Sequence, residues 1–371
     1  MTSHRQVAGR WNPQELEQGW NQGEPSGHND VLMSASPQPE PFASRWKRRA
    51  VTIPTMLGAT ALALVLIPLL IPAAAVYDIV RLRWRLPSVR VLLFLVQYGV
   101  NDSIEILLAP IYWVAAGMGT QLNGPTSIRR HERIQHWSVE NLARRAHRLL
   151  GVTVHLDPDG QAALEPAPAI VLCRHVSLMD ASLPSLLYQR RGLNIRGVIM
   201  AELLADPGFD LLYGRLGNVF IPRDNGPEAR LAVSALANGL DHSTVAVIFP
   251  EGRLFQPALA RRFLAKLAVT DPPRGARLAG LRHVLPPRPG GVAALLAAAP
   301  DADVVVMAHV GLDGYASFSE LARQVPLRAP VQVTAWRIAR ADIPGDGPEQ
   351  TAWLDEQWVR MDAWIHERIV A

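Results

Sequence analysis

His175 and Asp180 stand five positions apart in the stretch Val171-Leu-Cys-Arg-His-Val-Ser-Leu-Met-Asp180, which closes an apolar run from Ala169 to Cys173 and opens what reads as a helix. Imidazole is the side chain whose ordinary pKa lies nearest neutrality. A carboxylate about one helical turn onward can hold its tautomer and stabilise the imidazolium formed when it deprotonates an alcohol. The spacing by itself also suits a structural histidine at a strand end. Two later stretches change that balance. Gly217-Asn-Val-Phe-Ile-Pro-Arg223 runs from a glycine through a β-branched and aromatic strand to an arginine. Val245-Ala-Val-Ile-Phe-Pro-Glu-Gly-Arg253 runs an apolar strand into a polar turn. Open α/β sheets place ligand sites at such strand ends. His175 is therefore a candidate general base oriented by Asp180, and Arg223 and Arg253 are candidate phosphate grips, because a guanidinium forks onto phosphate oxygens. Glu251 and Gly252 form the turn beside them, with Gly252 letting backbone approach a ligand.

The elements that must position these groups follow from Val152 onward. Short apolar runs at Val152–Leu156, Ala169–Cys173, Gly197–Met200, Val219–Ile221, Thr244–Phe249, Val304–His309 and Val331–Trp336 alternate with helical segments. This pattern predicts an α/β fold, a mainly parallel sheet flanked by helices on both faces. A closing helix over Gln350–Val370 sets Leu354, Trp358, Met361 and Ile365 on one docking face. Before the sheet, Ile134, Leu142, Ala146 and Leu149 share a helix face opposite Arg144, Arg145 and Arg148. That helix suits an anionic lipid surface or the flank of the domain equally well.

The N-terminal third has a different character. Residues 1–48 read as a disordered polar tail, 49–118 as one or more membrane-anchoring helical segments, and 119–371 as the catalytic domain. From Val51 to Tyr77 the chain carries no charge for 27 residues, longer than the roughly 20 that span a bilayer. The next apolar stretch, Val91–Val100 and Ile104–Met118, is interrupted by Asn101, Asp102, Ser103 and Glu105. These would be costly at the bilayer centre, so two short interfacial helices or a turn back without crossing are expected. Arginines flank the first segment on both sides, and topology stays open. Of 37 basic residues only Lys47 and Lys266 are lysines, which implies a GC-rich, bacterial genome. A net charge of +4 gives no case for nucleic acid. Cys173 is the single cysteine, so an intramolecular disulfide and a cysteine metal cluster are excluded. His131, His136 and His147 form no recognisable ligand set, and no metal site is expected.

Taken in order, the three blocks resemble those of the glycerolipid acyltransferase family: His-x4-Asp, then Gly-x-x-Phe-Ile-x-Arg, then Phe-Pro-Glu-Gly. Leu281-Arg-His-Val-Leu-Pro-Pro-Arg-Pro-Gly-Gly291 is similar to a segment of the branch containing 1-acylglycerol-3-phosphate and lysophospholipid acyltransferases, and Trp353 to Asp362 to its closing helix. Three departures stand out. Arg253 follows Gly252 directly, no lysine precedes Glu202-Leu203, and Val304-Val-Val-Met-Ala-His309 lacks the usual proline. The resemblance implies transfer of a fatty acyl chain from acyl-CoA or an acyl carrier protein to the hydroxyl of 1-acyl-sn-glycerol-3-phosphate or a related lysophospholipid. It implies His175 and Asp180 as catalytic residues, and Gly217, Arg223, Glu251, Gly252 and Arg253 around the acceptor. It also implies no cofactor beyond the acyl donor, a lipid acceptor as partner, and a helical pair seating the domain on the cytoplasmic face of a bacterial membrane.

Two other readings fit the same residues. Ser177 or Cys173 could serve as the nucleophile of a lipid or thioester hydrolase assisted by His175, although no Gly-x-Ser-x-Gly elbow exposes either. A non-catalytic lipid-binding protein would tolerate the missing lysine and proline.

Overall fold

In the computed structural model, residues 40–165, 168–222, 227–313, 315 and 318–370 are described. The sheet has seven strands: β1 (Val154–Leu156), β2 (Ala169–Cys173), β3 (Asn194–Met200), β4 (Val219–Ile221), β5 (Thr244–Ile248), β6 (Asp303–Val310) and β7 (Val331–Ile338). Their order is β1-β7-β6-β2-β5-β3-β4. Neighbours are parallel except β6 and β7, which are antiparallel. All seven apolar runs read from the sequence are strands. The central strands β2 and β5 are buried along their whole length, and strands covered on both faces need continuous apolar side chains rather than alternation.

Two apolar clusters cover the two faces. One joins Ile170, Leu172, Ile248 and Val306 to the closing helix α12 (Pro348–Val370), whose Leu354, Trp358, Met361 and Ile365 are all buried. The other gathers Val171, Cys173, Val247 and Met307 under α5 (Ser182–Gln189). Trp358 is completely enclosed, and truncating such a side chain costs about 3–5 kcal/mol.

The helical N-terminal region corrects part of the sequence reading. α1 (Phe42–Val80) is one helix of 39 residues with Pro54, Pro68 and Pro72 inside it. α2 (Pro87–Ala115) is also continuous, so the polar interruption produces neither a break nor two short helices. The reason lies in the facing elements. Asn101 bonds Ser138 and accepts from Asn141 of α3 (Pro125–Arg145), and Asp102 lies against Gly208 of α6 (Pro207–Leu211). The polar residues point at protein and leave Leu107, Ile111 and Val114 exposed. At the hairpin turn, buried Asp78 accepts the amides of Ser88 and Val89 at the start of α2. The expected boundary at residue 49 falls inside α1, where Arg48 and Arg49 pair with Asp210 of α6. The expected tail lies, up to residue 39, outside the described residues. The basic amphipathic helix is α3 followed by a π-helical turn, Ala146–Leu150.

Candidate active site

Because β6, β2 and β5 are adjacent, the chain leaves the centre of the sheet at one edge, just beyond Cys173, Ile248 and Val310. His175 lies immediately beyond β2. The helix expected to open there begins only at Ser182. Between the two, a turn folds Asp180 back so that its Oδ2 accepts the amides of Val176 and Ser177 and meets His175 Nδ1 at 3.2 Å. The spacing of five thus closes by a tight turn and not by helical stacking. Asp180 is fully buried while His175 is 24% exposed, which leaves the imidazole Nε2 as the nitrogen available to a ligand. The ring packs on Phe249 with centroids 4.5 Å apart.

Glu251 differs from the expectation. It is fully enclosed, and its two oxygens accept from the backbone amides of His175, at 2.9 Å, and Leu285, at 2.8 Å. It therefore braces the His175 backbone from behind and is absent from the cavity wall. Burial pushes its carboxyl from the ordinary 4.5 to about 8, against the opposing pull of those two amides. Gly217 is also away from the wall: its φ of +74° makes the turn into β4, with the Arg196 side chain lying over it. Gly252, at φ +66°, does line the cavity, and a Cβ there would come within 3.1 Å of the Arg288 guanidinium. Arg253 is exposed on the same wall. Arg223 lies outside the described residues.

Arg288 was not assigned a role from the sequence, although it sits in the Leu281–Gly291 stretch. That stretch is a strap. Asp362 of α12 accepts the amides of Arg282 and His283, Leu285 bonds Glu251, and Arg288 N donates to Pro250 O at 2.8 Å. Arg274 of α9 (Pro272–Leu278) bonds Pro287 O and is bidentate to buried Asp355 of α12. The strap delivers Arg288 beside Arg253, and burial together with that neighbouring charge holds its pKa below the ordinary guanidinium value. Both guanidiniums line the cavity, and a guanidinium forks readily onto phosphate oxygens. Arg230 lines the same cavity. A Pro-Arg-Pro-Gly-Gly run entering a helix was the available signal, since α10 (Pro289–Ala298) starts there.

The cavity has a volume of about 2370 Å³, well beyond the roughly 300–1,000 Å³ of a small-ligand pocket. His175, Arg253 and Arg288 all line it. Apolar side chains including Leu178, Met179, Leu203, Leu312 and Leu321 also line it, as do Phe94 and Leu95 of α2. Neither Cys173 nor Ser177 reaches this space. Burial and Asp180 push the Cys173 thiol far up, and the Ser177 hydroxyl is spent on Tyr315 O at 3.1 Å. Among the described residues no group of three or more metal-ligating side chains occurs.

Residues 155–310 match the family model described as Acyltransferase. No curated protein matches the chain in sequence. Among solved structures, the 1-acyl-sn-glycerophosphate (LPA) acyltransferase PlsC of Thermotoga maritima is similar at a TM-score of 0.43 and 17% identity, over 70% of this chain and 95% of that one. A likeness of that size carries no functional argument.

Proposed function

We propose that this chain, which belongs to the glycerolipid acyltransferase family, moves a fatty acyl group from a thioester donor to the free hydroxyl of 1-acylglycerol-3-phosphate or a related lysophospholipid at a membrane surface. One observation supports this best: one large cavity is lined by an imidazole backed by a buried carboxylate, by guanidiniums and by many apolar side chains. A phosphate, a reacting hydroxyl and acyl chains each have a matching wall.

In this reading His175 Nε2 accepts the acceptor's hydroxyl proton as its oxygen attacks the thioester carbonyl, and Asp180 stabilises the imidazolium. The tetrahedral intermediate collapses to the new ester, and the thiolate leaves with the proton returned by His175. Arg253 and Arg288 hold the phosphate, with Arg223 as a further grip. Gly252 admits the ligand close to backbone, and Glu251 and Gly217 act by shaping turns. A positioned base of this kind contributes about 10²–10⁴-fold in rate. The donor is acyl-CoA or an acyl carrier protein, with no cofactor required.

Two helices of the chain are long and apolar enough to cross a membrane. Their exposed apolar faces support attachment to a bacterial membrane, with the catalytic domain on the cytoplasmic side where thioester donors are found. The hydrolase reading is disfavoured by the burial of Cys173 and Ser177. Detergent-purified protein given acyl-CoA should release thiol only when a lysophospholipid is present. Equal release without acceptor would defeat the transferase assignment, and a panel of lysolipids would identify the preferred one.

A further inference from the structure

His309, the last residue of the Val304-Val-Val-Met-Ala-His309 run, is 1% exposed on β6. Its Nε2 lies 3.5 Å from Asp180 Oδ1 and 3.4 Å from the Arg174 carbonyl oxygen. Its Nδ1 has no hydrogen-bond partner among the described residues. Both atoms facing Nε2 are acceptors, so the tautomer that fits carries its proton on Nε2. Asp180 is unevenly served. Oδ2 receives His175 and two amides, while Oδ1 has no hydrogen bond within normal limits. An unsatisfied buried carboxylate oxygen is costly, and the His309 imidazole is the donor poised to meet it.

We propose that His309 is a positioning residue, a second imidazole behind the same carboxylate, which fixes Asp180 so that its other oxygen aligns His175. The inference rests on the reading of His175 as the base. The charged groups around His309 are consistent with a neutral donor. Asp180 faces it from the turn after β2. Arg174, at the end of β2, donates to the His309 carbonyl oxygen at 2.8 Å and is paired with Asp313 beyond β6. On the β7 side its register partner is apolar Val333. Burial, the largest influence, and the Arg174 charge lower the His309 pKa, while Asp180 and Asp313 oppose them. A neutral N–H steadies the carboxylate without cancelling the negative charge that the imidazolium of His175 requires.

The test compares His309→Gln, His309→Asn and His309→Leu in the full-length protein, with long-chain acyl-CoA and 1-acylglycerol-3-phosphate and thiol release as the readout. A glutamine amide presents its N–H about where Nε2 stands, whereas asparagine reaches only the Nδ1 position. The Gln variant should stay within about threefold of wild-type kcat. The Asn and Leu variants should lose about tenfold to a hundredfold in kcat with KM nearly unchanged, the scale expected for a small misplacement of a catalytic group. In those two variants the acid limb of kcat/KM should also move to higher pH, because a less satisfied Asp180 holds the His175 proton more tightly. Asn and Gln variants with equal kcat and the same acid limb would overturn the proposal, and this pair decides even if the Leu variant misfolds. An active His175→Ala would instead remove the underlying assignment of the base, whereas an inactive His175→Ala with an indifferent Asn variant would sink only the role of His309.

Discussion

In β2 all five residues from Ala169 to Cys173 are buried, whereas in the 39-residue α1 the buried residues are Thr60 and Asp78. Both segments are strongly apolar. The strand buries that surface against helices on both faces of the sheet, while the helix turns Leu62, Leu69, Val76 and Val80 outward and keeps polar groups inside. α2 repeats the inversion, with Asn101, Asp102 and Glu105 buried and Leu107, Ile111 and Val114 exposed. In water such a hairpin would aggregate. A hydrocarbon surrounding reverses the preference, because polar side chains must then face protein. Similar residue types in the two regions thus meet different surroundings, which is the contrast behind the proposed division of chemistry at the sheet edge and attachment at the hairpin.

The sharpest test of that division is at His175. His175→Ala should lower acyl transfer by about 10²–10⁴-fold while leaving the protein folded and in the membrane fraction, as circular dichroism and sedimentation would report. Asp180→Asn should follow it closely through loss of imidazole orientation.

Attachment should respond to the opposite treatment. High salt should leave full-length protein with membranes and detergent should release it, since burial of apolar area at roughly 25 cal/mol per Å² is insensitive to ionic screening. Protein made soluble by a salt wash would mean that the outward face of α1 is not in lipid.

A smaller effect concerns the brace. Glu251→Gln leaves one of the His175 and Leu285 amides facing an NH2 group, so activity should fall by about tenfold, a cost near that of one lost buried hydrogen bond. Its stability effect has a definite sign. The folded-state value of about 8 lies above the ordinary 4.5. The contribution of the protonated carboxyl is therefore complete below pH 4.5 and lost as pH rises through about 8. The gap in melting temperature between wild type and Glu251→Gln should narrow from pH 6 to pH 9, and a widening gap would contradict the assignment.

The smallest change is expected at Cys173→Ala, where a buried thiol away from the cavity is removed and activity should remain near wild type. Inactivation with intact folding would return the nucleophile scheme to consideration.

Much of the fold was legible because its signals are local. The runs at Ala169–Cys173 and Val219–Ile221 coincide with β2 and β4, and the Leu354, Trp358, Met361 and Ile365 face is the one that docks. The continuous α2 was not legible, because whether Asn101 and Asp102 interrupt a helix depends on Ser138 and Gly208, far away in the chain. Glu251 shows the same limit: beside Gly252 and Arg253 it reads as a ligand contact, and only the amides of His175 and Leu285 reveal a brace.

By itself the sequence determined the alternation of strands and helices, the long apolar N-terminal run, and the order of the His-Asp and Glu-Gly-Arg strand ends, since each depends on residues within a few positions of one another. Only the tertiary structure decided that Arg288 stands beside Gly252, that Glu251 faces inward, and that His309 lies behind Asp180. Those arrangements join residues separated by tens to more than a hundred positions, and packing of the sheet against its strap and closing helix sets them where no local propensity can.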